Sequence, residues 1–338
     1  MKKVLSCVLL GVFTIALMAG VVLAAEEPVV FLDLSWDSIQ LHNRIAGYIV
    51  EKGYGKKVDY VFSETIPGML GLERGDIDVY IEGWVENTPE WWEKAQKEGY
   101  VVNLGVNYSN PPQGWYVPTY MIKGDPERGI QPVAPDLEYV EDLGRYWEFF
   151  KDPEIPDKGR FTNAPLGWNI SSINREKIKS LGLDEYYAVF EPGSGTALKA
   201  EAVASYEKGE PILFYYWEPT ALMGLYDFTR LKQKIPHSPE LWVEENGYNC
   251  DFPAPVVLKV LNREFADENP WIVEFVKRYE TTLDMNNAML AEMSVKGLSL
   301  EEAAVWFLKN YSDAWRKWIP EDRQDVIDNV EKALSEEK

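Results

Sequence analysis

Hydrophobic and polar positions alternate in two distinct ways along the first third of the chain. Val29 to Leu34 is a short apolar run of strand length, after which Ile39, Ile45, Ala46, Ile49 and Val50 fall on one helical face up to Gly53, a natural stop. Ser35 or Asp37 is placed to cap that helix. "KKVDYVF" reads as the next strand, "IPGMLGLERG" as a short helix and "DIDVYIEGW" as a third strand. Thr88 and Pro89 then open another helix as cap and first helical residue. Strands and helices in this order predict a parallel-rich sheet covered on both faces.

The pattern loosens around "NYSNPPQGWYVPTYMI", which reads as a crossing into a second lobe. A second alternating region follows: a helix near Val140 to Phe150, then "RFTNAPLGW", a helix from about Ser171 to Leu181, a strand near Tyr187 to Phe190 and a helix from Thr196 to Lys208 behind "EPGSG". The strand "PILFYYW" closes it. After "CDFPAPVVLKVLN" the chain becomes almost wholly helical, with a capping box at Ser299–Glu302 and apolar stripes such as Ala303, Phe307 and Leu308. Neither an internal repeat nor a low-complexity run is evident.

Four tryptophans stand where this pattern places strand ends or turns into helices: Trp36, Trp84, Trp168 and Trp217. Ligands of open α/β sheets bind beyond the carboxyl ends of the strands. "FYYWEPT" sharpens the point, because Glu218 after Trp217 argues that this strand end faces water or a polar ligand. Aromatic faces in a cleft suit a sugar ring, or a cation that cannot donate hydrogen bonds, above all a quaternary ammonium. Glu82, Glu86 and Glu218 could add negative potential there, although solvated rim charges are the commoner outcome. Trp91 and Trp92, inside a helix, read as packing or surface residues.

Composition narrows the choice of partner. At 338 residues the chain is long enough for two lobes with substantial cores. "MKKVLSCVLLGVFTIALMAGVVLAAEEP" has the order of a secretory signal peptide over residues 1–25, with cleavage expected after Ala24 or Ala25 and an uncleaved anchor as the alternative. The formal charge of −21 becomes −23 when Lys2 and Lys3 leave with that leader, a surface that repels nucleic acid. The mature chain holds one cysteine, Cys250, read as a small buried apolar residue. Histidines and cysteines show no metal-ligand spacing, and "EPGSGT" lacks the strand–Ser–helix elbow of a nucleophile. Neither metal nor cofactor is expected.

In order and spacing, "RGDIDVYIEGW", "NAPLGWNISSIN", "GEPILFYYWEP" and the helical "EEAAVWFLKNYSDAWRKWI" make this chain similar to the substrate-binding proteins of ABC importers for glycine betaine and related quaternary-ammonium solutes. The similarity runs over nearly the whole mature chain. It implies an α/β, two-lobed periplasmic-binding-protein fold of type II with two hinge crossings and a helical C-terminal segment, residues 27–117 with 261–338 forming one lobe and 118–260 the other. It implies a prism of Trp84, Trp168 and Trp217 around the cation. Trp36, and either Tyr116 or Tyr120, match aromatics of the choline-binding relatives. A betaine carboxylate would meet the backbone N–H groups of Asn169 and Ile170, and "NISSIN" opening a helix suits an anion on physical grounds as well. One departure stands out: some betaine binders carry a histidine four residues past the first cage tryptophan, where this chain has Thr88.

The expectation is therefore an exported, monomeric, periplasmic or otherwise extracytoplasmic binding protein that delivers its ligand to an ABC permease and is not an enzyme. Choline or carnitine is the alternative ligand, with Asp37 as a candidate acid for choline. A secreted glycoside hydrolase using two of the glutamates is the distant alternative.

Overall fold

The computed structural model describes residues 27–337; the expected signal peptide lies outside them. Along the first region run β1 (Val29–Asp33), α1 (Asp37–Tyr48), β2 (Val58–Phe62), α2 (Thr65–Arg74), β3 (Val79–Gly83), α3 (Pro89–Glu98) and β4 (Val101–Ser109). The second region contains β5 (Gln113–Pro118), α4 (Tyr120–Lys123), β6 (Gly159–Thr162), α5 (Asn169–Ser180), β7 (Tyr187–Phe190), α6 (Gly195–Lys208), β8 (Phe214–Trp217), α7 (Ala221–Leu225) and β9 (Phe228–Leu231). β10 (Val256–Asn262) returns to the first sheet. The helical end follows as α8 (Arg263–Glu268), α9 (Pro270–Arg278), α10 (Leu283–Lys296), α11 (Leu300–Asn310), α12 (Ser312–Trp315) and α13 (Gln324–Glu336).

Two five-stranded mixed sheets result, ordered β2-β1-β3-β10-β4 and β7-β6-β8-β5-β9. In each, three strands run parallel, and the strand that arrives from a crossing (β10 or β5) pairs antiparallel with the third of them. The sheets thus share an arrangement that the sequence does not show as a repeat. Helices α8 to α13 pack with α1 into the core of the first lobe, where Ile45, Ile49, Phe275, Phe307, Trp315 and Val330 are fully or almost fully buried. Gly53 is part of that core: a Cβ there would meet Val326 and Val330 of α13 at 2.7 and 2.9 Å.

Strand membership sets the crossings earlier than expected. β5 already belongs to the second sheet and the whole of β10 to the first, so the chain crosses at residues 110–112 and again just before Val256. Asn110 takes a left-handed φ of 58°, and its N–H donates to the Pro255 carbonyl at 2.9 Å, which ties the two crossings together.

Several local expectations change. The α1 cap position is Trp36, with no side-chain cap, and the helix runs on through a π-helical turn over Ile49–Gly53. Thr88 precedes α3 but its hydroxyl bonds to Val85 O instead of capping. The segment Val140 to Phe150 forms two 3-10 turns instead of an α-helix, and a Cβ at Gly144 would meet the Tyr186 ring at 3.2 Å. The capping box at Ser299 and Glu302 forms. Cys250 is fully buried, and Trp91 and Trp92 pack at the edge of a core cluster.

Candidate functional site

The equivalent strands of the two sheets each deliver one tryptophan to the space between the lobes. Trp36 follows β1 and Trp168 follows β6 after a turn; Trp84 comes directly after β3 and Trp217 is the last residue of β8. Three of them occupy a helical N-cap: Trp36 before α1, Trp84 before the 3-10 turn Val85–Asn87, and Trp168 before α5. An indole cannot accept from the helix N–H groups, so these ends forgo a side-chain cap and present the ring to the cleft instead.

Together the four rings line one hollow, open to solvent on one side. Trp36, Trp168 and Trp217 form a corner, with ring pairs 5.2, 6.5 and 4.9 Å apart and inclined at 76 to 78°. Trp84 lines the same hollow from the first lobe, and Tyr80, Thr65, Asn87, Thr88 and Tyr215 complete the lining with Asn169 and Ile170. Among the described residues, no charged side chain contributes to it.

Of the eight expected site residues, the structure brings six to this hollow: Trp36, Trp84, Trp168, Trp217, Asn169 and Ile170. Tyr116 and Tyr120 lie elsewhere. Tyr116 pairs with Phe214 in the middle of the second sheet and packs on its ring, three pairing positions from the Trp217 end. The Tyr120 hydroxyl donates to the Glu210 carbonyl at 2.6 Å, and its ring packs on Tyr206. The tyrosine that does reach the hollow from this sheet is Tyr215, two residues before Trp217 on the same strand. Asp37 is also displaced, lining an adjacent hollow where it pairs with Lys199 at 3.4 Å.

The two walls are built differently. In the first lobe Glu82, fully buried at the end of β3, accepts from Trp36 Nε1 at 3.0 Å, Trp84 Nε1 at 3.0 Å and Ser38 Oγ at 2.9 Å, all on Oε1. Burial raises its pKa to about 7, against the opposing pull of those hydrogen bonds and of the neighbouring Tyr108 hydroxyl. Its Oε2 faces His42 Nε2 at 4.0 Å, too far for a hydrogen bond, and burial drives the His42 pKa down to about 3, so the imidazole is neutral. Glu82 is therefore no solvated rim charge. Glu86 and Glu218 are half-buried: Glu86 accepts the Val256 N–H at 3.2 Å, and burial raises the pKa of Glu218.

In the second lobe a buried polar chain fixes the turn that carries Trp168. Trp115 Nε1 donates to Asn174 Oδ1, Asn174 Nδ2 to Asn163 Oδ1, and Asn163 Nδ2 to the Ser171 carbonyl, at 2.8 to 3.0 Å. This chain explains the asparagines of "NAPLGWNISSIN" by what they hold. Trp168 Nε1 itself donates across the cleft to Ser35 Oγ at 2.9 Å, and Asn169 Nδ2 donates to the Asn87 carbonyl of the first lobe. Trp242 Nε1 reaches the Glu86 carbonyl in the same way at 2.9 Å. Two glycines permit this approach. A Cβ at Gly195 would sit 2.8 Å from Ser35 O and 2.9 Å from the Trp168 ring, and one at Gly167 would meet Glu64 at 2.5 Å.

Residues 27–310 match the family described as the substrate binding domain of ABC-type glycine betaine transport systems. The chain belongs to that family. Its members are transport binding proteins, and the chain is not an enzyme. Among its relatives, the trimethylamine N-oxide-binding protein of Pelagibacter ubique is 24% identical over 318 residues, covering 93% of this chain and 98% of the other. The glycine betaine/proline betaine-binding periplasmic protein of Escherichia coli is 20% identical over 294 residues, 81% of this chain and 82% of the other. Solved structures show the same two-lobed type II fold. An ABC-transporter choline binding protein in complex with choline gives a TM-score of 0.73 at 18% identity, covering 91% of this chain and 98% of that one. Lactococcal OpuAC, closed around glycine betaine, gives 0.68 at 17% identity, covering 87% and 100%.

Proposed function

We propose that this protein captures glycine betaine, or a compound bearing the same trimethylated nitrogen, between its two lobes outside the cytoplasmic membrane and hands it as a monomer to an ABC permease. The observation that carries this reading is a hollow walled by four indoles from both lobes, with no charged side chain among the described residues of its lining. Methyl groups on a positive nitrogen gain apolar contact and cation–π attraction from such walls, up to about 2 kcal/mol for each desolvated ring. Two or three such contacts supply roughly half of the ~8 kcal/mol that a micromolar affinity requires. At the other end, Asn169 and Ile170 line the same hollow, and as the first two residues of α5 they carry N–H groups without intrahelical partners, which suit a carboxylate or N-oxide oxygen.

That second feature separates candidates. Choline offers a hydroxyl and no anion, and the acid that could meet it, Asp37, is paired with Lys199 outside the aromatic hollow. Trimethylamine N-oxide is a second reading, supported by the close ring separations of the corner and by the relative named for binding it. Residues described here include no helix long and apolar enough to cross a membrane, and the curated betaine-binding relatives are named as periplasmic.

Isothermal titration against glycine betaine, trimethylamine N-oxide, proline betaine, choline and carnitine tests the reading. Micromolar or tighter binding is expected for one or more of the first three, with choline and carnitine weaker. Binding of choline alone would overturn the assignment of the α5 end, and failure of the whole panel would overturn the ligand class.

A further inference from the structure

Among the described residues, no cation lies against the carboxylate beneath the first-lobe wall. Glu82 is fully buried, its Oε1 collects three neutral donors, and its Oε2 has no hydrogen bond among the described residues. The groups facing it come from four directions. His42 and Ser38 lie on α1, Tyr80 on its own strand, Tyr108 on β4, and Tyr279 after α9. None is a cation: the imidazole is held neutral by burial, and burial raises all three phenols above their ordinary range. Lys259 of the neighbouring strand is committed to the Lys277 and Tyr279 carbonyls. A buried carboxylate without a positive partner is costly, and its stability waits on one.

Two of its three donors are the ring nitrogens of Trp36 and Trp84. An indole N–H donated to an ionised carboxylate leaves more electron density on the ring, which deepens the negative π-face turned to the ligand. We propose that Glu82 is the anionic counterpart of the ligand's positive nitrogen, acting through the indoles of Trp36 and Trp84 and setting the preference for a charged headgroup over a neutral one of the same shape. It is a positioning and specificity residue that does not itself line the hollow. This rests on the trimethylated-nitrogen reading above.

Ligand charge and proton then compete. A carboxylate whose free-state pKa is about 7 loses its proton more readily once a cation lies across the rings, so binding releases a proton below that pH and affinity falls as pH falls through it. The facing His42 titrates near 3 and the phenols titrate far above neutrality, so neither produces that profile.

The test titrates wild-type protein and the Glu82→Gln variant with glycine betaine, whose charges do not change between about pH 5.5 and 8, and with 3,3-dimethylbutanoate, which replaces the nitrogen by carbon. Wild type should bind betaine on the order of tenfold more tightly at about pH 8 than at about pH 5.5. Glu82→Gln keeps an acceptor for the indoles, and should lose about tenfold for betaine at about pH 8, with a flat profile and little change for the carbon analogue. Equal losses for the two probes would make Glu82 a structural support only and overturn the proposal, as would a wild-type affinity independent of pH. If the variant does not fold, the wild-type profile alone decides. Wild type that fails to bind betaine at any pH would overturn the proposed function, and the role of Glu82 falls with it.

Discussion

The two lobes supply the same pair of tryptophans from the same two strand positions, yet anchor them in opposite ways. In the first lobe both indole nitrogens end on one buried carboxylate of that lobe, so Trp36 and Trp84 are set whether or not the lobes meet. In the second lobe Trp217 is held by ring packing on Tyr215 and Tyr216, and Trp168 finds its hydrogen-bond acceptor only in Ser35 of the other lobe. One wall is held within its own lobe and the other by a contact between the lobes. A half held within its lobe costs no ordering when ligand arrives, whereas the half held across the cleft makes retention depend on the lobes staying together.

The largest effect should come from undoing the wall held within its own lobe. Glu82→Leu strands two indole N–H groups and the Ser38 hydroxyl without their acceptor, and about 3 kcal/mol of unfolding free energy should disappear. Denaturant unfolding of ligand-free protein measures it, and an unchanged transition would mean that the first-lobe wall is not held as described. Next comes Trp217→Ala, which removes one face of the corner: about 2 kcal/mol, or some thirtyfold, should be lost in ligand affinity while the ligand-free melting temperature stays near normal. A mutant that melts far lower yet binds normally when folded would put that ring in the core.

Gly195→Ala probes the wall held across the cleft. Alanine suits the first turn of α6, but its Cβ would press on Ser35 O of the facing lobe and on the Trp168 ring of its own, so about 1–2 kcal/mol should be lost from binding, with a smaller loss of ligand-free stability because only the Trp168 contact persists when the lobes part. Retained affinity would show that closure tolerates a wider gap there. The smallest change is expected for Ser35→Ala, about 1 kcal/mol in affinity, again with normal ligand-free melting. Should Ser35→Ala instead destabilise the free protein as Glu82→Leu does, the contrast between the walls would disappear.

How much of this could be read from the chain depends on how local each cause is. Trp36, Trp84, Trp168 and Trp217 were legible because strand–helix alternation alone assigns them to strand ends, where open sheets bind ligands. Glu82 was not. Its neighbours in sequence, Ile81 and Gly83, leave it reading as a rim acid, and only the approach of α1, carrying Trp36 and Ser38 from more than forty residues away, turns it into a buried acceptor. Tyr116 was misplaced for a similar reason. Antiparallel pairing of Gln113 with Trp217 puts the start of β5 at the site and leaves Tyr116 about 10 Å down the sheet, and that register is set by tertiary contact. The crossings were blurred because β5 and β10 are apolar on both sides of each boundary, and a hydrophobic run does not say which sheet it will join.

The paired crossings have a mechanical consequence. One carries Pro111 and Pro112, the other Pro253 and Pro255, and the Asn110 N–H to Pro255 carbonyl bond lays them side by side. Proline fixes φ and stiffens both straps. Two stiff straps stitched together bend as a single leaf: they allow a swing about one axis and resist shear and twist. The lobes then approach along one coordinate and meet in one register, which brings Trp168 to Ser35 without a search over orientations. A captured molecule needs only to hold the leaf shut, since the hinge has already aimed it.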